Sequence, residues 1–521
     1  MFFPPDGNGP YRLLRAFGGA PVAELERSLA DPEAAQRRRL RVVREAVAGS
    51  AYAAHLGLRP GGAELDLDAL RTAAAIVDGA AMEPWLARIE AGEPAVLTTD
   101  RVLQLVETSG TTGRPKRLPV TRAWADSVAA AQRLWVLGLL RDDEGLAGGA
   151  ALSIVSPAVA GRTPGGLDYG SNTGRMFLAQ PFWVRWRAPV PYAAYTLPDL
   201  ETRQYTILRH ALAADVRSWT AANPASLLLY RRRRDQWWEE LRRDLADGTI
   251  GRLGVRGLAR KDVPDAPMWP WDLRRVNCWR GGPAAWYAAR LPEALGRDVP
   301  VREAGITASE GYFAVPVDDG DPIAWLGGHV LEFVDDAGTP RWAWELEVGA
   351  TYRLVVTTEA GLVRYDLGDL VRCTGHAGRA PRLVFERRAA AELNVVGERV
   401  TEAHLQAAAR AAFPDAEAIA ATTEPAEVPW LRVLVGQRAP LPAAAAPHFD
   451  AALAAVNVEY ADRRASGRYG PPELRLLPPE AWERWKAARV AAGAPEAQVK
   501  DPVVVDARRY AELVGADSAG V

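Results

Sequence analysis

The stretch 101–141 constrains the fold more than any other part of the chain. Arg101 to Val106 is a short β-prone run, and it enters the loop Thr108-Ser109-Gly110-Thr111-Thr112-Gly113-Arg114-Pro115-Lys116. A helix follows over about 121–141, with Thr121 placed as its N-cap. The two glycines let the backbone turn its N–H groups toward an anion, the hydroxyls of Ser109, Thr111 and Thr112 add donors, and Lys116 closes the end. Those are the parts of a polyphosphate cradle. Spacing and order differ from the GxxxxGK[ST] loop of nucleotide hydrolases. By composition alone, a polar surface turn has an equal claim.

Elsewhere the chain alternates between helical and β patterns, which predicts an α/β fold. Residues 21–91 read as helices, 161–175 as a loop, and 203–222 and 235–247 as helices again. From 323 to 386 the pattern is short β runs, clearest where two β-branched runs flank a turn at Glu359-Ala360-Gly361. That region is expected to form a β-barrel-like part of a large N-terminal domain, whose other sheets are flanked by helices. After Arg387 and Arg388 come a helix at 401–412, a strand at 431–435, a helix at 448–465, a strand at 473–477 and a helix at 478–490. This second alternation has its own core, so two domains are expected, 1–388 and 389–521, the smaller being mobile. A length of 521 residues suits such a division, at about 150 residues per domain.

Composition narrows the partners. The formal net charge of -2 gives no drive toward nucleic acid or an acidic membrane. No run of 18 apolar residues offers a transmembrane helix, and the opening MFFPPDGNGP carries prolines and an acid where a secretory signal needs an apolar stretch. Cys278 and Cys373 are too few for a disulfide framework or a cysteine metal site, and the six histidines lack metal-like spacing. The expected compartment is the reducing cytoplasm.

Only four lysines occur, Lys116, Lys261, Lys486 and Lys500, among 63 basic residues. A chain that uses arginine wherever a positive charge suffices keeps lysine where a compact ammonium is needed. Three further stretches carry chemistry. In Gly305-Ile306-Thr307-Ala308-Ser309-Glu310-Gly311, hydroxyls precede an acid, as a magnesium ion bridging protein and phosphate requires. In Arg364-Tyr365-Asp366-Leu367-Gly368-Asp369, a carboxylate past a glycine turn suits two ribose hydroxyls. Gln498-Val499-Lys500-Asp501-Pro502 holds the last lysine. Alone, the first two of these read more readily as solvated turns, and the interest of the third rests on its lysine. The aromatic stretch 181–195 suits a core or an acyl pocket equally, and Arg231 to Arg234 before Trp237 and Trp238 read as a helix boundary with a solvated face.

Their order is what counts. SGTTGRPK, ASE, YDLGD and VKDP, in that sequence, resemble the signature of the adenylate-forming superfamily of acyl-CoA synthetases, adenylation domains and luciferases. VVTTEAGLVRYDLGDLVRCTGHAGRAPRLVFERR, LNVVGERVTEAHL and VNVEYADRRASGRYG resemble, more narrowly, the auxin-responsive Gretchen Hagen type of acyl-acid amido synthetases, in a bacterial-looking version. The likeness runs from about residue 100 to 505.

The resemblance implies an ATP- and magnesium-dependent ligase that adenylates a carboxylic acid, releases pyrophosphate, and passes the acyl group to an amine acceptor, an amino acid for choice. Ser109, Gly110, Thr111, Thr112, Gly113 and Lys116 would hold the β- and γ-phosphates. Ser309 would touch phosphate and Glu310 would ligate magnesium. Asp369 would bind the ribose, with Arg387 or Arg388 near it at the domain hinge, and Lys500 would reach the α-phosphate and acyl oxygen. Two departures stand out: Ile306 replaces a tyrosine, removing an adenine-stacking ring, and Asp366 stands where an arginine is common. A ligase that forms a thioester with coenzyme A or a carrier thiol is one alternative. A non-catalytic nucleotide-binding protein is another, against which Lys500 speaks. No nucleic acid or membrane partner is implied, and the oligomeric state stays open between monomer and dimer.

Overall fold

The computed structural model describes residues 2–3, 9–58, 66–107, 116–282, 284–389, 392–393, 398, 400–424, 426, 428–465, 469–492, 494 and 499–518. The chain is a mixed α/β protein of two compact units. One comprises Met1–Arg280 with Tyr287–Glu386, the other Gly281–Trp286 with Arg387–Val521.

Among the described residues the larger unit holds three sheets of four or more strands and a two-stranded one at Thr249–Ile250 and Val255–Arg256. The part expected to be barrel-like is an eight-stranded sheet, antiparallel in its described pairings, that begins at the hairpin Ile306–Ala308 and Gly311–Val315 and has Tyr365–Ala377 and Thr351–Thr357 near its middle. Alternation of β-branched residues formed that pair, and the turn closes through Thr358 N–H to Leu362 O at 2.8 Å. Gly361 sits at φ 96° with its Cα so close to the Leu97 carbonyl that no side chain fits. The N-terminal helices, among them Pro32–Val47 and Gly79–Glu90, and the helix Arg122–Asp142 pack with this sheet in one apolar core. A second core surrounds four parallel strands, in spatial order Val301–Glu303, Arg275–Cys278, Val216–Thr220 and Ala150–Ser153, where Trp219, Trp269 and Trp271 meet at 4.7 to 5.6 Å between ring centroids.

Several sequence readings need correction. The helix expected over 203–222 is Leu200–Ala213, and Val216–Thr220 is a strand. Buried Val216 and Trp219 lie three apart, a helical spacing, but pairing on both edges decides for the strand. The loop at 161–175 holds the antiparallel pair Gly161–Arg162 and Asp168–Gly170 and the start of the helix Asn172–Ala179. The stretch 181–195 divides: Val190, Ala194 and Tyr195 are core, whereas Phe182 and Trp186 are exposed. Arg234, expected on a solvated face, is buried, with its guanidinium 4.5 Å from the Trp269 ring centre and paired with Asp235 at 2.6 Å.

The smaller unit carries the three-stranded sheet Ala418–Glu424, Trp430–Gly436 and Glu473–Leu477 with apolar clusters built from its strands and helices. The helix expected over 448–465 is two, Ala445–Val456 and Val458–Ala465. Asn457 breaks it, because its side chain accepts from Tyr460 N–H at 2.9 Å and donates to Glu398 O at 3.0 Å.

Candidate active site

The glycine- and threonine-rich loop joins the antiparallel strands Gln104–Glu107 and Arg117–Val120. Thr108 to Pro115, including Ser109, Gly110, Thr111, Thr112 and Gly113, lie outside the described residues; Glu107 before the loop and Lys116 at its end lie within them. Glu107 and Arg117 face each other across the pair, with Arg117 Nε donating to Glu107 Oε1 at 3.1 Å. Arg117 also reaches Glu90 at 3.1 Å and lies 3.6 Å from the Tyr169 ring centre. Burial pushes the Glu107 carboxyl up, and Arg117 works against that. The base of the loop is therefore clamped by charge and by an aromatic face.

Lys116 extends from this base to the start of the helix Gly79–Glu90. Its ammonium lies so close to Cα of Gly79 that any side chain there would overlap it, and that side chain would also meet the Tyr365 hydroxyl at 3.0 Å. A side chain at this position would therefore displace the Lys116 ammonium from the helix terminus. Asp78 caps the helix through Ala80 and Ala81 N–H at 2.9 and 3.0 Å, and those N–H groups, with the charge of Lys116, hold its carboxyl below the usual range. The first motif's lysine and the third motif's tyrosine thereby share one helix terminus.

The second motif forms a hairpin whose two-residue tip is Ser309-Glu310, between the paired Ala308 and Gly311. Ser309 Oγ donates to the carbonyl of Glu107, at 3.4 Å, where the phosphate loop begins. Trp124, fully buried at the first turn of the helix capped by Thr121, donates its indole N–H to the Glu310 carbonyl at 2.7 Å. Glu303, just before this motif, accepts from Arg280 and Ala304 N–H at 2.7 and 3.0 Å, and burial pushes its pKa up to about 7. Ile306 is buried in the main core.

In the third motif, Asp369 is buried on the strand Tyr365–Ala377. Asp366 accepts from Gly368 N–H at 2.8 Å and pairs with Arg353 at 3.3 Å, so this departure from the family pattern supports the turn itself. Arg364 has left-handed backbone at φ 47° and a side chain buried against Glu332. Its Nε and Nη2 donate to the two carboxylate oxygens at 2.8 and 3.0 Å, and Arg71 Nε adds a third bond at 3.0 Å. The segment ahead of the helix Gly79–Glu90 is laced to the same place: Val77 N–H donates to Arg364 O at 3.0 Å and Asp366 N–H to Val77 O at 2.8 Å.

The first three motifs therefore converge in the larger unit. Arg387 and Lys500 belong to the smaller one, and the side chain of Arg388 lies outside the described residues. Lys500 is exposed on the segment after Val499, and its neighbour Asp501 is buried and paired with Lys486 at 2.6 Å. Sequence reasoning passed over Asp78, Gly79 and Trp124, and quoted Arg364 at the head of the third motif without giving it a role. Asp78-Gly79 and Thr121-x-x-Trp124 were legible as helix starts; nothing local marks Arg364.

Three family models match in chain order: the GH3 family N-terminal domain over 21–263, the central domain over 330–388 and the C-terminal domain over 416–509. The chain belongs to the GH3 family. Among its relatives, a probable indole-3-acetic acid-amido synthetase of Oryza sativa subsp. japonica is 26% identical, with 95% of this chain and 89% of the relative covered. A jasmonoyl–L-amino acid synthetase of Nicotiana attenuata is 25% identical over 75% of each chain. The solved structure of a GH3 acyl acid amido synthetase in complex with 2,4-DB superposes with a TM-score of 0.82 at 18% identity, covering 96% of each chain. A 2-hydroxyisobutyryl-CoA ligase in complex with 2-HIB-AMP superposes less closely, at a TM-score of 0.52 and 14% identity over 93% of this chain and 91% of the other. The fold of this GH3 chain is that of the adenylate-forming enzymes, as its motif order implied.

Proposed function

We propose that this protein uses ATP to convert a carboxylic acid to its acyl-adenylate with release of pyrophosphate, then transfers the acyl group to an amine, an amino acid for choice, to form an amide. The observation that carries this reading is the meeting of the first three motifs: Ser309 against the mouth of the phosphate loop, and Lys116 with Tyr365 at the Gly79 helix terminus.

The chemistry follows from charge. A carboxylate oxygen attacks the α-phosphorus of ATP, the bond to the bridging oxygen breaks, and pyrophosphate leaves with the electron pair. Attacking group and target are both anions, so catalysis rests on positioning and on charge held in advance. Ser109, Gly110, Thr111, Thr112, Gly113 and Lys116 would orient the β- and γ-phosphates, Asp369 would hold the ribose, and Arg387 or Arg388 would lie near it. Among the described residues no three His, Cys, Asp or Glu side chains gather as a metal cage. A single carboxylate beside a hydroxyl, Glu310 with Ser309, fits magnesium, which keeps waters and takes phosphate oxygens as its other ligands. The ion would supply charge neutralisation on the phosphates when bound. Lys500 would act on the α-phosphate and acyl oxygen from a C-terminal domain, 389–521, that moves against residues 1–388 between the half-reactions. Among the described residues no helix is long and apolar enough to cross a membrane. Buried, unpaired Cys278 and Cys373 suit a reducing cytoplasm.

The acceptor separates this reading from a thiol ligase. Relatives named as amido synthetases over 95% and 75% of this chain favour the amine. The test preforms the acyl-adenylate from a panel of carboxylic acids, then offers an amino-acid mixture or coenzyme A and analyses products by mass spectrometry. Amide without thioester is expected; efficient thioester without amide would overturn the reading.

A further inference from the structure

Arg175 belongs to none of the four motifs. It lies on the helix Asn172–Ala179, directly after the strand Asp168–Gly170. That strand runs parallel to the one entering the phosphate loop, with Leu105 opposite Tyr169 and Val106 opposite Gly170. The guanidinium carbon of Arg175 stands 5.0 Å from the ring centre of Trp124, whose indole is the group that holds the Glu310 carbonyl. Arg175 is therefore one side chain removed from the proposed magnesium acid and one strand removed from the phosphate loop.

Its partners are neutral. Of five N–H donors on an arginine, Nε and Nη2 each give one to the neutral Asn172 Oδ1, at 3.2 and 3.0 Å. Among the described residues no carboxylate pairs with it. Arg364, Arg302 and Arg234 are matched by acids (Glu332, Asp142 with Asp319, and Asp235), whereas buried Arg209 donates to the carbonyls of Asp244 and Leu258. Burial pulls the Arg175 pKa down to about 10, so it stays cationic at neutral pH. A desolvated charge with neutral partners alone is costly, and an incoming anion relieves that cost.

We propose that Arg175 binds the carboxylate of the acid to be activated. This inference rests on the adenylation reading and adds the residue that holds the attacking group. The phosphates have their own cradle, whose lysine reaches the Gly79 helix terminus instead. One aromatic face is shown against Arg175, that of Trp124 under the guanidinium. A cation beside an apolar face suits an organic acid, and a guanidinium matches a carboxylate in shape. Held there, the carboxylate has its charge offset as it approaches the anionic α-phosphate.

The test uses the full chain and ATP–pyrophosphate exchange with the best-exchanging member of a panel of aryl and indolyl carboxylic acids. Arg175→Met should raise the KM for that acid about tenfold, as expected for loss of a charged hydrogen bond, while the KM for ATP stays within about twofold. Arg175→Lys should recover part of the loss. Titration of the same acid by calorimetry without ATP should show the same weakening. A rise in the KM for ATP instead, or no change in either, overturns the proposal. Should Arg175→Met fail to fold, Arg175→Lys decides alone: an unchanged KM for the acid overturns it. If the unmodified protein exchanges with no acid of the panel while still binding one by calorimetry, adenylation fails and the Arg175 site is judged on binding.

Discussion

Lys500→Ala is expected to lower acyl-adenylate formation by about 10²-fold or more, the loss typical when one preorganised charge contact leaves a transition state. The surroundings of Lys500 make this a clean experiment. Asp501 already has its charge met by Lys486, and the chain just beyond is pinned to the sheet, with Ala421 N–H donating to Val503 O at 2.7 Å and Val505 N–H to Ala421 O at 2.9 Å. An exposed side chain on an anchored segment contributes little to folding, so the variant should melt with the parent protein. Lys500→Arg should rescue poorly, because a planar guanidinium is too broad for a site built around an ammonium. ATP–pyrophosphate exchange and a thermal melt on both variants provide the check. Full activity of Lys500→Arg would sink the argument from lysine scarcity, and full activity of Lys500→Ala would remove this residue from the reaction.

Glu332→Ala should carry the largest stability cost of any single change considered, about 3–5 kcal/mol. Glu332 is buried and takes Arg364 in a two-pronged bond while also holding Arg71, which stacks 3.8 Å from the Trp342 ring centre. Removing it leaves the buried guanidinium of Arg364 and the half-buried one of Arg71 without an acid. Arg364 would retain only carbonyl partners, Ala74 O at 2.6 Å and Arg71 O at 3.2 Å. Because the chain has two units, the measurement is the midpoint of the larger unit's own denaturant transition. The pair Glu332→Met with Arg364→Met should lose less than Glu332→Ala alone, since replacing both charges restores packing. A loss below about 1 kcal/mol for Glu332→Ala would show that the carboxylate is not paying the cost of these arginines.

What could be read from the chain and what could not divide along physical lines. The hairpin around Glu359-Ala360-Gly361 and the Thr121 cap were legible because their signals are local: alternation, a turn glycine, a hydroxyl one position before a helix. The strand Val216–Thr220 was misread because its buried pair imitates a helix, and only partners far along the chain on either side, at 150–153 and 275–277, reveal the ladder. Likewise, Glu332 and Arg364 lie 32 residues apart with no pattern linking them. At the candidate site, motif order identified Lys116, Ser309, Glu310 and Asp369 as candidates. The side chains that brace that site, Trp124 and Arg364, and the glycine that makes room for Lys116 are invisible until the chain is folded. Arg175 was hidden in a stretch whose glycines, proline and serine made it look like loop.

Residues 74–79, upstream of all four motifs, bear on how the protein can be shortened. Ala74 accepts from the Arg364 guanidinium, Val77 pairs with Tyr365 as a short bridge, and Gly79 leaves room for the Lys116 ammonium. A fragment trimmed to begin at Arg101 would keep every motif residue, and by motif alone it would look like a minimal enzyme. It would lack the bridge between Val77 and Tyr365 and the Ala74 and Arg71 carbonyls that Arg364 donates to, leaving Glu332 alone to hold that guanidinium. The smallest working version of this protein therefore starts well before its first recognisable motif.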